Sequence, residues 1–362
     1  MKKILTLAFF MSMSVFAQED GAYLDQPYPN LIHPKVDQKS VNKAYPKNDV
    51  ASVIAFQSPV RSQMARGTCS IFSATAYLEG LLIRKGQFDD SIDLSEEWLQ
   101  YTAVRNKTSD GSYAGSNFEA IRRYGMPSEQ TLPYIGEDWV EVFNVLKDKR
   151  CGHLSGDQHK SCLIVHRDPK LLTLTDKQIL NRDHPFYDPE FVEARAEAYL
   201  FRNNFIQFAH TNYYIGNVSQ VKEALRQGYP IVLEIDFYYG AWNHRKADEL
   251  GIGRDMDHWY QGIVTHPEVG SMDLQESKKK PAGHSILLVG YDDNKIVKKT
   301  IKMANGSMKT FTYKGVYYFK NSWGQDSFGR DFKVDGENYP GYGMIVQKHA
   351  HNDGAFYLLP LQ

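Results

Sequence analysis

Residues 59–79 read PVRSQMARGTCSIFSATAYLE. A lone cysteine, Cys69, follows a glutamine, Gln63, and a glycine-bearing turn, Met64-Ala65-Arg66-Gly67-Thr68. Beyond it, Ile71, Ala74, Leu78 and Leu81 recur at three- and four-residue spacing, which predicts one apolar helix face. Thr68 is the candidate N-cap and Lys85-Gly86 the candidate stop. Cys69 then falls in the first helical turn. Backbone N–H groups there lack helical partners and the dipole is positive, which favours a thiolate over a thiol. That is what a cysteine nucleophile needs.

Two further motifs stand downstream in the same order. His284 opens a strand-like run, Gly283-His284-Ser285-Ile286-Leu287-Leu288-Val289-Gly290-Tyr291, and Asn321 sits in Lys320-Asn321-Ser322-Trp323-Gly324. Together with Gln63 to Ala74, these residues resemble the papain-like cysteine peptidases. The family's nucleophile segment is Q-G-x-C-G-S-C-W-A-F-S-A, and Gln63, Gly67, Cys69, Phe72, Ser73 and Ala74 match it. Arg66 stands where the family has a half-cystine, so that disulfide is absent, and Ser70 stands where the family has tryptophan. The resemblance covers about residues 51–135 and 213–348. The Cys-to-His interval is longer than the roughly 130–150 residues usual for the family. Residues 136–212, read as an insertion, account for most of the excess.

The resemblance implies an α+β fold of two lobes, a helical one carrying Cys69 and a β-barrel-like one carrying His284 and Asn321. The cleft would lie between them. It implies that Cys69 attacks the peptide carbonyl and that His284 moves the proton. Asn321 would orient the imidazole, Gln63 would contribute to the oxyanion hole, and Trp323 would cover the His–Asn bond. Gly115 matches one of two family glycines whose backbone meets extended substrate. Peptide or protein is the implied substrate, with no cofactor. Two rivals are a cell-wall peptidase or amidase, and a papain-like domain kept for binding without catalysis.

The totals agree with such an enzyme without proving one. The chain has 362 residues with 42 Lys+Arg against 43 Asp+Glu, a formal charge of −1. That balance gives no reason to invoke nucleic acid or an anionic membrane. Met1-Lys2-Lys3, the apolar run Ile4 to Phe16 and the site before Gln18 read as a secretory signal over residues 1–17. Export to a periplasmic or extracellular space is therefore expected, without stable membrane anchoring. Residues 18–50, polar and broken by prolines, read as a short pro-segment or arm. Of three cysteines, Cys151 and Cys162 lie close together and leave Cys69 alone, so one disulfide is expected. His153 and His159 make zinc an alternative, but the spacing is not that of a common zinc module. Helices are further expected over 138–147, from the Ser116–Glu119 capping box to Gly125, and from Asp188-Pro189 onward. A hairpin is expected around Asn305-Gly306.

Overall fold

The computed structural model describes residues 48–140, 142, 144–184 and 187–362. The signal segment and nearly all of the 18–50 arm lie outside the described residues. The fold is α+β, with a helical lobe packed on a mostly antiparallel sheet.

The helical lobe is built around Cys69–Arg84. Its expected apolar face is buried: Ile71, Ala74 and Leu78 are fully enclosed and Leu81 nearly so. Thr68 stands at the N-cap but does not cap with its side chain; its hydroxyl meets the Tyr134 hydroxyl at 2.7 Å. Helix Glu96–Val104 is capped by Ser95, whose hydroxyl accepts the Trp98 N–H. The next helix, Ala114–Tyr124, begins two residues before the expected Ser116 cap. The cause is long-range: the carboxyl of Glu234, from the sheet, receives the Ala114 N–H. Gly125 does end this helix, at φ +71°, where a Cβ would run into the Ala198 carbonyl of helix Pro189–Phe205.

Residues 136–212 are less of an appendage than an insertion reading suggests. The helix expected over 138–147 begins instead at Val145, capped by Asn144, and ends at Cys151. Of the residues expected to form its apolar face, Val140 is exposed, while Leu146 is half-buried against Trp139 and the two cysteines. The stretch read as a Cys/His-rich loop is the end of that helix plus a second one, Gly156–Val165. Ile164, Val165, Phe191, Ala194 and Ala198 complete the same core as the nucleophile helix. Burial of these side chains, at roughly 1.5–3 kcal/mol for each large one, makes the stretch part of what holds that helix in place.

The sheet has seven strands in the order Tyr214–Ile215, Gly354–Tyr357, Ile231–Phe237, Ala282–Lys302, Met308–Lys320, Tyr342–Val346, Ile263–Val264. Only the last pair is parallel. The histidine strand and the first hairpin strand form one element, Ala282–Lys302, with register shifts at Leu288/Gly290 and Asp292/Ile296. The hairpin turn at Asn305-Gly306 is as expected, with Gly306 at φ +84°. Register places Ile235 opposite His284, Glu234 opposite Ser285, and Leu287 opposite Lys320. One further contact links the lobes close to the nucleophile. The Gln63 N–H donates to the Ser322 carbonyl at 2.8 Å and the Gly324 N–H to the Arg61 carbonyl at 3.1 Å. The approach to Cys69 is thereby stitched to the strand end that carries Asn321.

Candidate active site

Cys69 is the first residue of its helix and is 6% exposed. Backbone groups of Ser285, Ser70 and Cys69 itself act on the sulfur and favour the thiolate, as the helix-start reading requires. Burial is stronger and pushes the thiol up to about 12. The expectation of a depressed thiol pKa from helix position alone is thus overturned by desolvation.

His284 lies on the neighbouring strand, one residue before Ser285. Its Nε2 is 2.8 Å from the Asn321 Oδ1. Since that oxygen only accepts, Nε2 carries the proton and a neutral ring leaves Nδ1 bare. Nδ1 is buried and has no hydrogen-bond partner among the described residues. The ring is held by aromatics: Trp323 stacks on it with centroids 4.7 Å apart, and Trp242 meets it edge-on at 5.0 Å. In this apolar shell burial drives the imidazole down to about 4, and the Asn321 bond only partly offsets it. A lone thiolate and a lone imidazolium are both disfavoured here.

Ser73 and Ser285 bring the two walls together through a hydroxyl–hydroxyl bond of 2.7 Å. The Asn117 amide donates to the Ser70 carbonyl at 2.8 Å and steadies the first turn. Gln63 is fully buried. Its Nε2 donates to the Arg66 carbonyl at 2.7 Å, while its Oε1 accepts the Ser322 hydroxyl at 2.6 Å. The second contact fixes the amide's orientation, so Nε2 and not Oε1 belongs to the turn before the nucleophile.

Arg66 fills the place of the missing half-cystine with charge. Its guanidinium grips Asp110 through Nε at 3.2 Å and Nη2 at 2.7 Å, and donates to the carbonyls of Ile135 and Ile164. Asp110 also accepts from the Gly67 N–H and the Gln100 amide. Glu97 completes the group, 3.7 Å from Arg66 and 2.7 Å from His166. Nothing in the sequence pattern announced this cluster, because its members are scattered from residue 66 to residue 167.

Gly115 is the glycine whose backbone the resemblance sets against extended substrate. It lies in the first turn of helix Ala114–Tyr124, because Glu234 starts that helix at Ala114. Extended backbone ends at Tyr113, with φ −142° and ψ 157°. Glu234 was missed by sequence reading, since a carboxylate in an apolar strand looks like a solvent-facing residue. It is fully buried, and burial raises its carboxyl to about 8. Cys151 and Cys162 are disulfide-bonded, joining the two short helices, with Cα atoms 5.7 Å apart. The bridge removes both sulfurs from any zinc site, and Cys69 is the free cysteine.

A buried thiol, a histidine held by an asparagine and a glutamine in the preceding turn are the groups to which the sequence resemblance pointed. Comparison with known proteins agrees. Residues 47–181 match the papain family cysteine protease. Cysteine proteinase 2 of Entamoeba histolytica is 38% identical over 91 residues, which is 24% of this chain and 29% of that protein. Cathepsin K of Gallus gallus is 36% identical over 85 residues, 23% of this chain and 25% of that protein. The chain thus spans under a third of these curated relatives. Among solved structures, xylellain, a cysteine protease from Xylella fastidiosa, aligns with 94% of this chain and 97% of its own at a TM-score of 0.48 and 14% identity. Digestive procathepsin L2 of Tenebrio molitor aligns with 95% of this chain and 80% of its own, at 0.45 and 17%.

Proposed function

We propose that the protein is an exported thiol peptidase that cuts peptide bonds through Cys69, His284 and Asn321. The observation that carries this reading is the His284 Nε2–Asn321 Oδ1 bond beneath Trp323, which leaves Nδ1 bare beside the nucleophile helix. Nδ1 takes the thiol proton as sulfur attacks the carbonyl carbon. The resulting oxyanion lies against the Cys69 backbone N–H and the Gln63 amide. The imidazolium then gives its proton to the departing amine as the carbon–nitrogen bond breaks, leaving a thioester. Water, deprotonated by the same nitrogen, hydrolyses the thioester and restores the thiol. Asn321 needs no charge, because thiolate and imidazolium already balance one another. Export rests on the signal-like residues 1–17, and the disulfide fits an oxidising compartment.

A binding domain without turnover is the second reading. The burial of Cys69 and of His284 Nδ1 favours it. The experiment is intact-mass analysis of the parent and Cys69→Ala with a peptidyl epoxide and an unfolded protein. Labelling and cutting by the parent alone support the peptidase. If neither labels nor cuts after reduction and removal of residues 18–50, the binding reading replaces it.

A further inference from the structure

The surface beside the active site carries a run of arginines that the reaction does not use. Helix Ala114–Tyr124 starts at the nucleophile end, where Ala114 meets Glu234 and Asn117 meets the Ser70 carbonyl. It ends in Arg122-Arg123-Tyr124, and its 11 residues span about 16 Å. A shallow groove follows it, lined by Tyr113, Gly115, Arg105 and Arg123. A second groove continues from Arg123 and Tyr124 to Arg202 and His210.

Charge in these grooves is unbalanced. The Tyr124 ring bears two guanidinium groups, Arg105 at 5.6 Å and Arg123 at 5.5 Å from its centroid. Arg202 joins them by donating to the Arg123 carbonyl at 2.7 Å. Among the described residues no carboxylate forms an ion pair with Arg105, Arg123 or Arg202. Glu119, which lines the first groove, is already engaged by Arg122 through bonds of 2.5 and 2.8 Å. Helix-end electrostatics accounts for a cation or two at this place, since the last turn favours positive charge. It does not account for Arg105, Arg123 and Arg202 together, because Glu119, which feels the charge of Arg123, is already bonded to Arg122, on a chain whose acids and bases balance. Such a cluster repels itself until an anion enters.

We infer that this arginine groove binds an acidic stretch of the peptide substrate, four or five residues from the bond that is cut. The inference rests on the peptidase reading and names its substrate class. The distance follows from the helix length, because extended chain advances about 3.3 Å per residue. Arginine is the side chain suited to such binding, since its planar fork pairs with carboxylates in two-point contacts, and Tyr124 holds two such forks in place.

The test uses fluorogenic peptides alike around the cleaved bond, carrying a short glutamate or alanine block about five residues away, on either side in turn. The ratio of kcat/KM values, glutamate over alanine, is measured for the parent, Arg123→Glu and Arg105→Gln at about 0.05 M and about 0.5 M salt. The parent is expected to favour the acidic peptide about tenfold at low salt, and both variants and high salt to bring the ratio towards one. A parent ratio near one overturns the inference, as does a ratio that survives both substitutions. Binding of the same labelled peptides to Cys69→Ala is read by anisotropy, so the groove is tested without hydrolysis. If heparin binds there and the acidic peptide does not, the inference also falls. If no peptide is cut and the epoxide fails to label, yet Cys69→Ala holds the acidic peptide in an Arg123-dependent way, the peptidase reading falls and the groove stands.

Discussion

Two buried histidines, His284 and His166, have opposite surroundings. His284 is enclosed by Trp323, Trp242 and Phe237, with an amide as its only hydrogen-bond partner among the described residues and burial holding it neutral. His166 is enclosed by charge. Its Nδ1 is 2.7 Å from Glu97, its Nε2 is 2.9 Å from the Glu137 carbonyl, and Arg66 and Arg167 lie beside the same carboxylate. Despite burial, that company keeps Glu97 below the ordinary carboxylate range. The difference teaches what each ring is for. A ring with one bare nitrogen in an apolar shell can take up and release a proton. A ring with both nitrogens hydrogen-bonded is held in one orientation. The first ring suits the proton transfer proposed above; the second braces the loop before Cys69 through Glu97 and Arg66.

The strongest way to break this contrast is to remove the bare nitrogen. His284→Ala is expected to lower kcat/KM by at least about 10³-fold. With the imidazole gone, burial still dominates at Cys69, so alkylation by iodoacetamide should rise steadily with pH towards about 12. The parent should react well below that pH. An equal pH profile for the two would show that the histidine does not share the thiol's proton. His166→Gln, by contrast, should leave the alkylation profile in place.

Arg66→Met attacks the other region. It strands Glu97 and Asp110 in the interior, and breaking a buried ion pair in this way costs about 3–5 kcal/mol. Urea unfolding of Arg66→Met should show that loss, and a change below about 1 kcal/mol would mean the cluster is not what holds the turn. Opening the Cys151–Cys162 bridge by double serine substitution should cost about 3 kcal/mol, given its sequence separation of 11, with kcat/KM on small peptides unchanged. A fall in kcat would tie the bridge to the site.

Glu234 sharpens the comparison from the inside, being a buried carboxyl met by the Ala114 N–H and the Tyr357 hydroxyl rather than by a cation. Its folded pKa of about 8 lies above the ordinary 4.5. Folding therefore takes up a proton between those values, and stability falls as pH rises from 4.5 through 8. Its negative charge also disfavours the Cys69 thiolate. Glu234→Gln keeps an oxygen for Ala114 and removes the titration. Its thermal midpoint should decline less between about pH 6 and pH 9 than the parent's, and equal slopes would remove Glu234 from the account.

The nucleophile helix, the order Cys69, His284, Asn321 and the Cys151–Cys162 pairing were all legible in the sequence. Each depends on local spacing or on a short motif, and local rules carry such signals. The long strand through His284, the true start of helix Ala114–Tyr124 and the Arg66 cluster were decided only in three dimensions. So was the thiol's protonation, because the helix start argues for the thiolate and only the packing around Cys69 reveals that desolvation outweighs it. Helix position is written in neighbouring residues. Burial and counter-charge are set by residues far away in the chain, such as Glu234 and Asp110, whose side chains meet this region only in the folded chain.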